Sequence, residues 1–139
     1  MKATYYVGKV RTDGTPKANQ MQANQQRLFA HLKKHNFTYS LGYLLKDKKG
    51  VYQEKGVDVN IAVDLLVASY ENLCERLYLV SSDTDLIPAI AKAQEKGKTV
   101  VYVAFSHQVS KALVSACRET QTLTKETLYP FLQTQEQAA

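Results

Sequence analysis

The sequence predicts an α/β fold with a mainly parallel sheet and helices on both faces. Three observations carry that prediction. Short apolar runs of strand length alternate with longer stretches of helical periodicity. The run Leu77-Tyr78-Leu79-Val80 is continuously apolar and leads directly into Ser81-Ser82-Asp83-Thr84-Asp85 and a helix-like segment. Strands buried on both faces read in this way, and open sheets of this kind place their sites at the carboxyl ends of strands.

Taken in order, Ala3 to Val10 is rich in β-forming residues and ends at the turn cluster Asp13-Gly14-Thr15-Pro16. Lys17 to His35 is helical, with Met21, Leu28, Phe29 and Leu32 on one face. Phe37 to Leu45 returns to strand character, and Lys46-Asp47-Lys48-Lys49-Gly50 reads as an exposed loop or hairpin tip. Helical pattern resumes from Val57 to about Leu73, followed by a strand at Arg76 to Val80 and a helix at Leu86 to Glu95. A strand at Thr99 to Phe105, a helix at His107 to Cys117 and a last helix from Lys125 to Leu132 complete the pattern. Such alternation implies right-handed crossovers. Residues 1–132 read as one domain and the Gln-rich residues 133–139 as a frayed tail.

Composition narrows the class. At 139 residues, 45% hydrophobic and 22% charged, the chain has the balance of a soluble globular domain with a full core. A net charge of +5 is compatible with a polyanionic partner without requiring one. Cys74 and Cys117 share no ligand spacing and read as two buried small hydrophobes. With no signal peptide and no long apolar segment in view, a reduced cytoplasm is the expected home, with no membrane partner. His31 and His35 stand one helical turn apart without an intervening Glu, and His107 is remote, so a zinc site is not indicated. Of the nine Tyr, Tyr5, Tyr6, Tyr78 and Tyr102 fall inside expected strands and are better explained by packing than by base stacking.

The acids carry the chemistry. Asp83 and Asp85, two apart at a strand end, either brace the backbone, Asp83 closing the loop and Asp85 capping the helix at Leu86, or hold a metal at the crevice. Asp58 opens a helix, where a cap or a first-turn acid favoured by the dipole is the structural alternative. Six residues turn a helix by about 240°, so Asp64 does not share a face with Asp58. Magnesium and manganese take hard oxygen ligands, and phosphodiester hydrolysis needs the charge screening that such an ion provides.

The set Lys55-Gly56-Val57-Asp58-Val59, then Ala62-Val63-Asp64, then Val80-Ser81-Ser82-Asp83-Thr84-Asp85-Leu86 resembles the NYN domain, the LabA-like branch of the PIN-like nuclease superfamily, from about Thr4 to Leu128. The resemblance implies a magnesium- or manganese-dependent ribonuclease acting on RNA, with Asp58, Asp83 and Asp85 as catalytic metal ligands. By the same resemblance Asp64 is a further ligand or a supporting acid, and Lys55, Asn60 and Ser81 stand on the substrate side. For Lys55 a solvated charge is the alternative, and for Asn60 and Ser81 local backbone hydrogen bonding.

One departure qualifies this. NYN domains open with a central strand ending in Asp, and Ala3 to Val10 resembles the second strand instead, so the domain is expected to be incomplete at its N-terminus relative to the family. Catalysis is then expected to be impaired or absent. Open strand edges would favour a homodimer or larger assembly. The alternative is a non-catalytic RNA-binding or regulatory module; a phosphotransfer receiver is a weaker third, lacking an earlier strand that ends in an acid.

Overall fold

A computed structural model describes residues 1–138, with side chains placed through residue 132. Contacts divide the chain into two units, residues 1–61 and residues 62 onward.

In the first unit β1 (Ala3–Lys9) lies parallel to β2 (Phe37–Lys46), with Tyr5 opposite Tyr39 and Val7 opposite Leu41. The crossover between them is α1 (Pro16–Lys34), which starts as the sequence predicts. Thr15 caps it by accepting the Ala18 N–H, and Pro16 occupies the first turn, where its missing N–H costs nothing. Phe29 of α1 stacks on Tyr39 of β2, with centroids 4.1 Å apart. Gln25 is buried and donates to the Gly8 carbonyl at 2.8 Å while accepting the Val10 N–H at 2.9 Å. A buried amide whose two ends both find partners positions α1 over the end of β1.

The polar tip 47–50 is a hairpin turn, and β3 (Tyr52–Lys55) pairs antiparallel with the end of β2. Sequence pattern did not separate β3 from the loop, because all four of its residues are exposed and carry no alternation. Gly56 then adopts a φ of 80°, which lets the chain reverse into α2 (Val57–Tyr70). Helix α2 begins in the first unit and continues through the second.

The second unit is built on β4 (Arg76–Leu79), β5 (Thr99–Phe105) and β6 (Glu119–Leu123), all parallel, in the order β4-β5-β6. Central β5 is the most deeply buried strand, and its Val100, Val101 and Tyr102 form the core with Leu86, Ile90 and Leu113. The crossover from β4 to β5 is a short 3₁₀ turn at Thr84–Leu86 followed by α3 (Ile87–Glu95). Lys98 is buried beneath the 72–75 loop, where its ammonium donates to Asn72 Oδ1 and lies 3.4 Å from Glu75 Oε1.

The helix expected from His107 to Cys117 is shorter, α4 being Lys111–Ala116. Ser110 caps it, and residues 106–109 form a turn closed by the Gln108 N–H on the Phe105 carbonyl. Strand β6 lies where no strand was expected. The last helix, α5 (Lys125–Ala138), runs beyond Leu132, into residues whose sequence suggested a frayed tail. Gln, Glu and Ala there are all good helix formers. No helix among the described residues is long and apolar enough to cross a membrane.

Parallel pairing is therefore predominant, as expected, but the strands form two three-stranded sheets. β1 and β3 are the edges of one, β4 and β6 of the other.

Candidate functional site

The site begins where β4 ends. Strands β4 and β5 run parallel, so their carboxyl ends lie together, and the chain leaves β4 there through Val80 to Asp83. The Asp83 N–H donates to Ser81 Oγ at 3.2 Å, and Asp83 Oδ1 accepts the Asp85 N–H at 2.9 Å. Asp83 is thus the cap of the 3₁₀ turn, whereas the sequence suggested Asp85 as the capping acid. Asp85 lies inside that turn, Leu86 provides no side-chain cap for α3, and Pro88 sits in the first turn of α3 as expected.

Capping occupies Oδ1 of a group with about four lone-pair positions, so it is compatible with ligation of an ion. A carboxylate oxygen of Asp83 and one of Asp85 lie within 4.8 Å of each other, Asp83 half-buried and Asp85 exposed. Such a pair offers hard oxygen donors, the chemistry that magnesium and manganese accept.

In the first unit Asp58 occupies the first turn of α2, half-buried. Because α2 starts at Val57, Asp58 is a first-turn acid favoured by the helix dipole. Asn60 makes local bonds, its N–H to the Gly56 carbonyl at 3.0 Å and its side-chain amide to the Leu41 carbonyl at 3.4 Å. It fastens the start of α2 to β2. Lys55 is exposed at the end of β3, opposite Tyr43. Asp64 is exposed further along α2, on a different side of the helix from Asp58.

Sequence reasoning placed no functional residue at the end of β5. The structure has an open pocket there, lined in part by Ser81, Ser82, Phe105 and Gln108. The available signal was positional: Phe105 ends a buried strand next to the one that delivers Asp83, and polar Ser106-His107-Gln108 follow it.

The NYN domain family matches residues 2–124. No curated protein matches the chain. Among solved structures, the crystal structure of a protein of unknown function from Vibrio parahaemolyticus is similar, with a TM-score of 0.65 and 19% identity. The likeness covers 91% of this chain and 70% of that one and shows a shared fold. NYN domains are PIN-like nucleases that act on RNA and generally use divalent metals. With most of its length matched and its acids at a strand end, the chain belongs to the NYN domain family.

Proposed function

We propose that this chain is a metal-dependent endoribonuclease domain in which Asp58, Asp83 and Asp85 hold magnesium or manganese. The observation that carries the reading is the Asp83 and Asp85 pair at the carboxyl end of β4, inside the NYN match. Asp58 is the third ligand on the strength of its place in the family motif. Their carboxylate oxygens fit a hard cation. A bound ion would supply charge screening for the phosphodiester and activation of water.

This chain's own residues do the rest. Ser81 fixes the Asp83 backbone, and the Asp85 N–H holds the Asp83 carboxylate, so that acid is already oriented when the ion arrives. Asp64 supports the acids, Lys55 meets a phosphate, and Asn60 keeps the first turn of α2 in place. The net charge of +5 suits a polyanionic substrate. We place the protein in the cytoplasm, where Cys74 and Cys117, both free, stay reduced.

Titration calorimetry with magnesium and with manganese is expected to show binding to the wild type and none to a folded Asp83→Asn, Asp85→Asn double variant. Unchanged binding in that variant removes the metal assignment. Cleavage of single-stranded RNA is expected to be slow, to require the metal and to vanish in Asp58→Ala. RNA binding without any metal-dependent cleavage would favour a non-catalytic RNA-binding module.

A further inference from the structure

A small pocket lies next to the loop that carries Asp83. It measures about 200 Å³ and opens at the carboxyl ends of β4 and β5. Pockets for drug-sized ligands run from roughly 300 Å³ upward, so this one suits a ring-sized group rather than a whole nucleotide. Its lining includes Tyr102, Val103 and Ala104 of β5.

Two side chains at the rim supply recognition. Phe105 keeps 37% of its surface exposed, and its ring lies against His107 at 6.1 Å between centroids. Gln108 offers an acceptor and two donors on one planar amide. The segment bearing both is well fixed. The Ser106 N–H donates to the Leu123 carbonyl at 2.9 Å, the Gln108 N–H to the Phe105 carbonyl at 2.9 Å, and the Ser110 N–H to the buried Tyr102 hydroxyl at 3.1 Å. The lining also includes Ser82, the residue immediately before Asp83.

We propose that this pocket receives one unstacked nucleobase of single-stranded RNA, stacked on Phe105 and hydrogen-bonded at its edge by Gln108. The inference rests on the reading of Asp83 and Asp85 as the phosphate-facing acids. It adds what they cannot provide. Carboxylates holding an ion address a phosphate that is the same in every nucleotide, whereas an aromatic ring and an amide address the base. The base must be splayed from its neighbours to enter, which restricts substrates to single strands, loops and ends.

The test is fluorescence anisotropy with a labelled hexanucleotide RNA and with the same hexamer carrying one abasic nucleotide at each position in turn. In the wild type, one abasic position is expected to weaken binding about tenfold, the order of a lost base–aromatic stack. In Phe105→Ala the intact hexamer is expected to lose the same factor, and the abasic walk to become flat. Phe105→Tyr retains a ring and is expected to restore affinity, which separates stacking from a folding defect. Gln108→Ala is expected to reduce discrimination among the four homopolymers more than it reduces affinity.

A flat abasic walk in the wild type, equal affinity of Phe105→Ala and wild type, or no RNA binding at all would overturn the proposal. So would capture of an aromatic peptide side chain in place of the base. Metal calorimetry on the Asp83→Asn, Asp85→Asn variant reports separately on the acids. An abasic signature without metal binding leaves the pocket standing alone, and metal binding with a flat walk leaves the acids standing alone.

Discussion

Gly42 of β2 shows how one missing side chain positions a functional element. A Cβ there would lie 2.5 Å from the Lys55 carbonyl oxygen and 2.8 Å from Val57 Cγ2. Both contacts are too short for any atom, and one is to backbone, so only glycine lets the first turn of α2 approach β2 this closely. Gly42→Ala is expected to lower stability by about 1–3 kcal/mol, as overpacking generally does, and to move the turn that carries Asp58. Thermal unfolding followed by circular dichroism checks the first effect, and an unchanged Tm would mean that the contact relaxes freely. At this scale the sequence marked the acids at the strand end but not their local bonding. Asp83 and Asp85 stood out because they follow a buried strand. Asp85 looked like the cap of a helix starting at Leu86, but Asp83 caps an earlier 3₁₀ turn, and a three-residue turn has no periodicity to mark its start. Phe105 and Gln108 went unnoticed because an aromatic at a strand end reads as packing until the pocket beside it is seen.

Among the elements, buried ones were legible and exposed ones were not. β5 and the core face of α1 announce themselves through apolar content, whereas β6 is Glu119-Thr120-Gln121-Thr122-Leu123, with four exposed residues and no alternation of burial. It is a strand because its backbone completes the parallel ladder along β5. Its side chains add one tie. Arg76 of β4 donates Nη1 to Glu119 Oε1 at 2.9 Å and Nη2 to the other oxygen, a bidentate pair spanning β5. This hydrogen bonding lowers the Glu119 carboxyl below its ordinary value and raises the Arg76 guanidinium. A carboxylate with a depressed folded-state pKa contributes stability above its unfolded pKa and loses it as pH falls through the folded one. The wild type is therefore expected to be more stable than Glu119→Gln near neutral pH, with the gap closing as acid protonates Glu119. Because both groups are open to solvent, the gap should be small and shrink with salt. A Tm difference between the two proteins that is independent of pH would show that the pair contributes nothing.

On the scale of the whole molecule, the four sheet edges differ in kind. β3 and β6 carry Gln, Glu, Lys and Thr and are almost wholly exposed, the usual protection of an edge that must stay unpaired. β1 and β4 carry Tyr5, Tyr6, Val7 and Leu77, Tyr78, Leu79, which is apolar and aromatic sequence that strands pair through. We expect the purified chain to be a dimer or larger, with the Ala3 to Val10 strand near the contact. Light scattering at micromolar concentration checks this, and a well-folded monomer would remove it. The presence of two pairing-prone edges on one chain has a further consequence for how such an assembly would stop growing. A twofold axis can pair β1 with β1, or β4 with β4, only antiparallel, and either pairing closes at two copies. Pairing β1 of one copy with β4 of the next is head to tail; each added copy then leaves one fresh edge of each kind, and growth ends only if the rotation between copies closes a ring. A mass that stays fixed on dilution from high concentration would mark the closed geometry, and one that climbs steadily with concentration the open one.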